Sequence, residues 1–595
     1  MRLKRCASLL FPILLILSSC QQAPAAESEL NLGFEQRDGD ANPTNWYVGG
    51  DGYDATLDSS VVHGGKYSLH LRYDHDGKVP EQSFGVGTST FPIAAARGKK
   101  IRLGGWIRTK DVDGFAGLWL RVDGRESMLA FNNMKDTGYS GTHDWTHYSF
   151  ELPVATSAIN INFGVLLDGH GEAWFDDLSV QLDGKDYVEP PPFEPSDGQL
   201  SWVKDNSVSI KTVDAGHGFD DLSALDKFIG TASVVGMGEA THGTSEFFRM
   251  KHRLLEYLVE KKGFTIFAIE ANMPESERIN EYVLTGNGDP AKLLRGIYFW
   301  TWNTAEVLDM IKWMRSYNES GKGRLQFQGF DMQTTKIAVA EVEQFVQNAE
   351  PGFMDSLMTA FANVRLTEGM TWSSNKASMT NIASDALRSS SDVLKHLEEN
   401  RTKYEKKLSV KTVARMIQNA RIVQQGLALR SDKEGSLRDS CMALNIDWIA
   451  KQNPGQRIAV WAHNAHVMKT AGHMGSWLNQ SFGSKYVNVG FAFYEGTYTA
   501  VPMSQQSEAK TVTAPTAKIG SVEYAMHEVQ QPTFFLNLHL ATSADPNSEW
   551  LARPVKVRSI GAVESNFYDY ENLQEEFDGL IFIDHSTHSK LLPWF

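Results

Sequence analysis

Two short segments of the chain hold the residue types that move protons near neutral pH. Gly236-Met-Gly-Glu-Ala-Thr-His-Gly243 packs Glu239 and His242 into a turn bracketed by glycines, and Ala462-His-Asn-Ala-His466 sets His463 and His466 three residues apart. Imidazole and carboxylate are the groups that activate water in this pH range. Two further acids, Glu270 and Asp331, end apolar runs lying between these segments. Other hydrolytic chemistries lack their residues. No G-x-S-x-G occurs, which disfavours a serine elbow. His527-Glu528 is followed by Gln531 where H-E-x-x-H needs its second histidine. There is no P-loop, and Gly236-Met-Gly238 runs on to Thr241, a poor dinucleotide fingerprint. Histidine and carboxylate acting directly on water are what remain.

These residues need elements that bring them together. Val234-Val-Gly-Met-Gly238 reads as a strand entering a turn. Glu246 to Lys262 has helical periodicity, with Phe247, Leu254, Leu255 and Leu258 on one stripe, and Gly263 ends it. Thr265-Ile-Phe-Ala-Ile269 is a second apolar strand, so the run is a βαβ unit and implies a parallel sheet. Leu325–Phe330, Arg457–Trp461, Val487–Phe491 and Leu580–Asp584 read as further strands, and residues 335–453 as a long helical insertion. Ligands bind at the carboxyl ends of parallel strands. Glu239 and His242, Glu270, Asp331, and His463 and His466 all fall at such ends. The insertion, lying between two site-bearing strands, is expected to lid the cleft and shape specificity.

The region 29–184 reads differently. Tyr67–Tyr73, Lys100–Ile107 and Ala158–Phe163 alternate with turns at roughly ten-residue spacing, the pattern of an all-β sandwich. Trp46, Trp106 and Trp119 have the chemistry to stack on a sugar, although core is the more frequent fate of a strand tryptophan. Glu189-Pro-Pro-Pro-Phe-Glu-Pro195 is a stiff connector, placing a linker over 185–199 and an α/β domain over 200–595. Within that last domain Cys441 sits in a helix-like run and reads as a small buried apolar residue.

Composition sets outer limits. A length of 595 residues needs more than one core. A net charge of −15 argues against nucleic acid as the main partner. Met1–Arg5 is basic and Ala7–Leu17 apolar but too short to span a bilayer, so residues 1–19 read as a signal peptide. The chain has three cysteines, Cys6, Cys20 and Cys441, and removal of the signal would leave no intrachain disulfide for a lipidated Cys20.

Several stretches resemble known families. Leu17-Ser-Ser-Cys20 resembles a bacterial lipobox. The resemblance implies lipidation at Cys20, a tether over 20–28 and, with Gln21 in place of Asp, an outer-membrane lipoprotein of a Gram-negative cell facing periplasm or surface. Asn31-Leu-Gly-Phe-Glu35 and Ala173-Trp-Phe-Asp-Asp-Leu-Ser-Val180 resemble the first and last strands of jelly-roll carbohydrate-binding modules, which implies a structural Ca²⁺ held by Glu35 and Asp176. Gly238–Gly243, Glu246–Arg253, Phe267–Asn272, Phe299-Trp-Thr-Trp302, Gly329–Met332 and Trp461–His466 resemble the erythromycin esterase family.

That family resemblance implies hydrolysis of an ester or lactone without a serine nucleophile and without a catalytic metal. It places the essential histidine on His242, supporting acids on Glu239 and Glu270, a histidine pair on His463 and His466, and a basic position on Lys251. On this reading neutral His242 takes a proton from water, Glu239 or Glu270 holds its tautomer, and His463 or His466 donates to the oxyanion or the leaving alkoxide. Lys251, Asp331 and Trp302 are then expected to touch substrate. The added sandwich favours a glycan-linked or unknown ester over a macrolide. Two rival readings stand beside this one: a metal-dependent hydrolase using the same His/Glu cluster, and a non-catalytic glycan-binding lipoprotein.

Overall fold

The computed structural model describes residues 30–38, 42–73, 83–124, 127–368, 376–431, 437–502 and 508–594. The signal, Cys20 and the tether lie outside these. Two compact units divide between Pro191 and Pro192.

The first unit is a β-sandwich built from a ten-stranded sheet in which every pairing is antiparallel. Its spine is one strand, Lys100–Asp123, much longer than the Lys100–Ile107 segment the sequence suggests. The first half lies between Gly171–Leu182 and Tyr139–Pro153, and the second between Asn160–Asp168 and Met128–Asn132. Register shifts at Ile107/Thr109, Thr109/Val112 and Val112/Ala116 bend the strand, so one run of backbone serves both layers. Ile101, Leu103, Ile107, Leu118, Leu120 and Val122 point inward from it.

One expectation changes in this unit. Asn31–Glu35 is not a strand. Asn31 and Phe34 have left-handed φ values of 43° and 59°, and the Asn31 side chain closes a turn by bonding both the N–H and the C=O of Gln36. An asparagine that satisfies its own loop competes with ladder formation. Trp46 is core, packed on Phe34 and Phe163, while Trp106 is half-buried and stacks on His63 at 4.0 Å. Trp119 is also half-buried.

Glu35 and Asp176 face one loop but turn their oxygens to amide hydrogens. Glu35 accepts from Lys66 and Tyr67 N–H, and Asp176 from His63, Gly64 and Asp177 N–H. Carboxylates bonded in this way stitch the loop themselves. Among the described residues no group of three or more His, Cys, Asp or Glu side chains is arranged to hold a metal.

The second unit carries a nine-stranded sheet. Its central strands are β1 (Val234–Met237), β2 (Ile266–Asn272), β3 (Gln326–Asp331), β4 (Ile458–Trp461), β5 (Tyr486–Ala500), β6 (Thr533–Asn537) and β7 (Gly579–Ser586). Their order is β6-β7-β5-β1-β4-β2-β3. From β7 to β3 every pairing is parallel, whereas β6 and two edge strands pair antiparallel. All residues of β1 and β4 are buried, as expected of strands covered on both faces.

Helix α1 (Ser245–Lys262) follows β1 and ends at Gly263, whose φ of 70° is the left-handed cap that glycine adopts without strain. The insertion between β3 and β4 comprises Lys336–Ala349, Met354–Glu368, Lys376–Glu399, Arg401–Glu405, Val410–Ser431 and a last helix, α2 (Leu437–Gln452), packed around a common core. Cys441 is half-buried against that core instead of being fully enclosed. Among the described residues no helix is long and apolar enough to cross a membrane.

Candidate active site

Four adjacent strands, β1, β4, β2 and β3, end side by side and deliver Glu239 and His242, His463 and His466, Glu270, and Asp331. The glycines around His242 serve close approach. A Cβ on Gly243 would strike the Thr499 carbonyl of β5, and one on Gly238 would strike the Asn464 side chain. Backbone bonds seat this turn against its neighbours: Gly238 N–H to Val489 C=O, Asn464 N–H to Glu239 C=O, and Ile560 N–H to Ala240 C=O.

Glu239 is fully buried and spends both oxygens. Oε1 meets His242 Nδ1 at 2.6 Å, and Oε2 accepts from Lys251 Nζ at 2.6 Å and Trp461 Nε1 at 2.9 Å. Burial works to raise this carboxyl, but Lys251 and His242 hold it below its usual value. Burial in turn lowers the Lys251 ammonium to about 8, against the pull of Glu239. Lys251 Nζ also lies over the Trp461 ring, 4.5 Å from its centroid. An ionised Glu239 fixes the Nδ1–H tautomer of His242 and leaves Nε2 with a lone pair. The His242 side chain keeps 12% of its surface open, and Trp302 packs edge-on against it at 5.8 Å.

The second cluster centres on a residue that no motif marked. Arg438, in the first turn of α2, donates from Nη2 to Glu270 and Asp331 at 2.7 Å each and from Nε to Asp331 at 3.3 Å. Glu270 sits where the β2–β3 register shifts, which turns its carboxylate toward β4. There Oε2 accepts the His463 N–H at 3.0 Å and Oε1 meets His466 Nε2 at 3.3 Å. Asp439, next to Arg438, holds His466 Nδ1 at 3.0 Å and accepts the Met474 N–H at 2.7 Å. Burial opposes charge on Glu270, yet His466 and Arg438 keep its carboxyl well below the ordinary range. Burial likewise opposes charge on His466, but Glu270 and Asp439 push it up to about 10. Arg438 Nη1 also lies 3.1 Å from His466 Nε2, a contact that suits only a neutral imidazole. With Glu270 on one ring nitrogen and Asp439 on the other, and with the guanidinium already neutralised by Glu270 and Asp331, the imidazolium is the favoured resting form.

His463 differs from both other histidines. Its Nδ1 accepts the Ala465 N–H at 3.2 Å, and its Nε2 faces the Ile560 carbonyl at 3.0 Å. Burial, with His242 and His466 nearby, pushes it down to about 4. It is a neutral, fully bonded cap for the short helix Asn464–Val467, with no nitrogen left for a substrate. This removes the expected donor role.

The three residues expected to touch substrate are buried instead. Lys251 secures Glu239, Asp331 secures Arg438, and Trp302 Nε1 donates to the Glu270 carbonyl at 2.8 Å. Sequence reasoning missed Arg438 and Asp439. Their only signal is an adjacent cation and anion opening a helix, far from any strand end.

A family model described as erythromycin esterase matches residues 259–586, a span holding Glu270, Asp331, Arg438 and both His463 and His466. A putative hydrolase of Bacillus subtilis, YbfO, is 23% identical over 424 residues, covering 66% of this chain and 92% of that protein. The type II erythromycin esterase of Escherichia coli is 25% identical over 430 residues, covering 66% and 98%. Among solved structures, a succinoglycan biosynthesis protein superimposes with a TM-score of 0.58 at 25% identity, covering 66% of this chain and 98% of that one.

Proposed function

The chain belongs to the erythromycin esterase family, and on that premise we propose that it is a hydrolase cleaving an ester or lactone with water activated by His242. The observation that carries the proposal is the division of labour on one imidazole: Nδ1 is committed to a buried, ionised Glu239, and Nε2 is free.

In the proposed reaction Nε2 takes a proton from water as the water oxygen attacks the carbonyl carbon. The carbonyl oxygen gains the negative charge, and Arg438 and the His466 imidazolium supply the positive field it needs. Collapse breaks the carbon–oxygen bond to the leaving alkoxide, which takes the Nε2 proton of His466. Arg438 Nη1 is then placed to donate to the bared nitrogen. His242 loses its proton to solvent and His466 regains one, leaving acid and alcohol as products.

No step runs through a metal. The donor set supports this choice, because His463 turns both nitrogens to backbone and the Glu239 oxygens are spent on His242, Lys251 and Trp461. The proposal extends to placement, with Cys20 lipidated and the protein anchored at the outer membrane. Acyl-labelling that persists in Cys20→Ala would remove that part. Substrate is best sought with a panel of esters and lactones, macrolides and acylated glycans included, run on wild type and His242→Ala. Turnover that disappears in the variant supports the mechanism, whereas full turnover in His242→Ala ends it.

A further inference from the structure

The polypeptide following β7 runs as an extended strap across two segments of the site. Its first anchor is the His242 turn. Thr587 donates to both oxygens of Glu246, from N–H at 2.6 Å and from Oγ1 at 2.7 Å. The Ser245 N–H bonds the Thr587 carbonyl at 2.8 Å, Thr244 and His588 pair antiparallel, and the Ser589 N–H bonds the Gly243 carbonyl at 2.8 Å. The second anchor is the segment carrying Trp302. The Ala305 N–H bonds the Lys590 carbonyl at 2.8 Å, Thr304 and Leu591 pair antiparallel, and the Leu592 N–H bonds the Asn303 carbonyl at 2.8 Å. Glu306 ties the two anchors together, accepting from Ser245 Oγ at 2.7 Å and from the Lys590 N–H at 3.2 Å.

We infer that residues 587–593 are a positioning strap for the hydrolysis proposed above, and that Glu246 and Thr587 are the positioning residues through which it sets the His242 turn. The bonds of the strap fall on the His242 turn and on the segment after Trp302. The Gly243 carbonyl, immediately after His242, receives one bond from the strap and one from Thr499 of β5. Trp302, the edge-on neighbour of His242, lies just before residues 303–305, which the strap also pairs. The strap therefore fixes the His242 backbone and the wall beside its ring by one continuous piece of chain. Neither Glu246 nor Thr587 reaches a reacting atom, so their effect must pass through geometry, where an ångström of misplacement is costly. The family match ends at Ser586, at the strap's threshold.

The test compares the full chain with Glu246→Ala, Thr587→Val and Thr587→Ser by amide hydrogen exchange, with p-nitrophenyl acetate turnover in parallel. Glu246→Ala removes both bonds to Thr587. Exchange at residues 239–245 and 302–306 should quicken about tenfold or more while the melting temperature holds within a few degrees. Thr587→Val should show a weaker version, and Thr587→Ser, which keeps the hydroxyl, should match wild type. The value of kcat should fall on the order of tenfold to a hundredfold with KM little changed. Unaltered exchange in Glu246→Ala overturns the strap, whatever the turnover. Quickened exchange with unaltered kcat overturns its positioning role. If instead His242→Ala retains full turnover, it is the catalytic reading that fails, and the exchange data still decide whether the strap holds the turn.

Discussion

At the end of β1 a buried carboxylate takes one nitrogen of an imidazole and leaves the other bare, and Lys251 and Trp461 behind it are spent holding that carboxylate. At the end of β4, one imidazole, His463, gives both nitrogens to the backbone, and the other, His466, enters a network of Glu270, Asp331, Asp439 and Arg438. Both turns are histidine-rich and lie on neighbouring strands. They differ in what their histidines have left to offer: a lone pair at His242, a proton at His466, and nothing at His463. Residue type marks a site, but the bonds already made decide the role.

The sharpest way to break this contrast is His242→Ala. Turnover should fall roughly 10²- to 10⁴-fold, the usual worth of a positioned general base, with little change in melting temperature. An equal loss from His463→Gln would erase the distinction between the two turns. Arg438→Met should come next. It leaves Glu270 and Asp331 without their shared cation in a buried setting, at a cost of about 3–5 kcal/mol in denaturant titration. If that variant unfolds at the wild-type midpoint, the network does not hold the second turn.

The third prediction uses pH, and the two histidines give opposite signs. His463, at about 4 when folded, binds fewer protons than in the unfolded chain, so its neutral form is an advantage that shrinks as pH falls from about 6.5 toward 4. His466, at about 10 when folded, binds more, so its contribution is full below about 6.5 and is lost as pH rises toward 10. At most the acid limb set by His463 is worth about 3 kcal/mol and the alkaline limb set by His466 about 5 kcal/mol. Melting temperature against pH should flatten on the acid side in His463→Gln and on the alkaline side in His466→Gln. Curves that keep both limbs would undo the assignment. The smallest effect is expected from Thr587→Ser, which should be indistinguishable from wild type in kcat and exchange.

The sequence made some of this legible and not the rest, for physical reasons. Apolar runs ending in Glu239, Glu270, Asp331 and His463 can be read locally, because parallel strands buried on both faces have a composition that announces them. Topology then brings their ends to one edge, where the distances place Glu239 beside His242 and Glu270 beside His466. Roles were less legible. Whether a histidine keeps a free nitrogen depends on Ile560 and Ala465, whose backbone atoms carry no sequence signature. Whether Lys251 meets substrate depends on burial, which its helical position alone leaves open. Arg438 and Asp439 sit at the start of a helix that closes a long insertion, and only tertiary folding brings that helix end to the sheet. In the first unit Asn31–Glu35 is expected as a strand by resemblance to a jelly-roll module, while the turn that forms is set by the Asn31 side chain and two left-handed residues.

Helix α2 closes the insertion, but by its bonds it belongs to the sheet. Arg438 and Asp439 reach the ends of β2, β3 and β4, and Asn445 Nδ2 bonds the Phe330 carbonyl at 2.9 Å. The insertion is thus moored at its downstream end by the same residues that arrange the chemistry. In evolutionary terms this splits two kinds of change. On the proposed mechanism the guanidinium and its neighbour answer to the reaction, while the helices upstream of Leu437 answer to packing, as in the Arg415–Glu277 and Gln418–Asn445 contacts. A chimera that grafts a relative's insertion should be cut just before Leu437, so that new specificity arrives without disturbing the machinery that uses it.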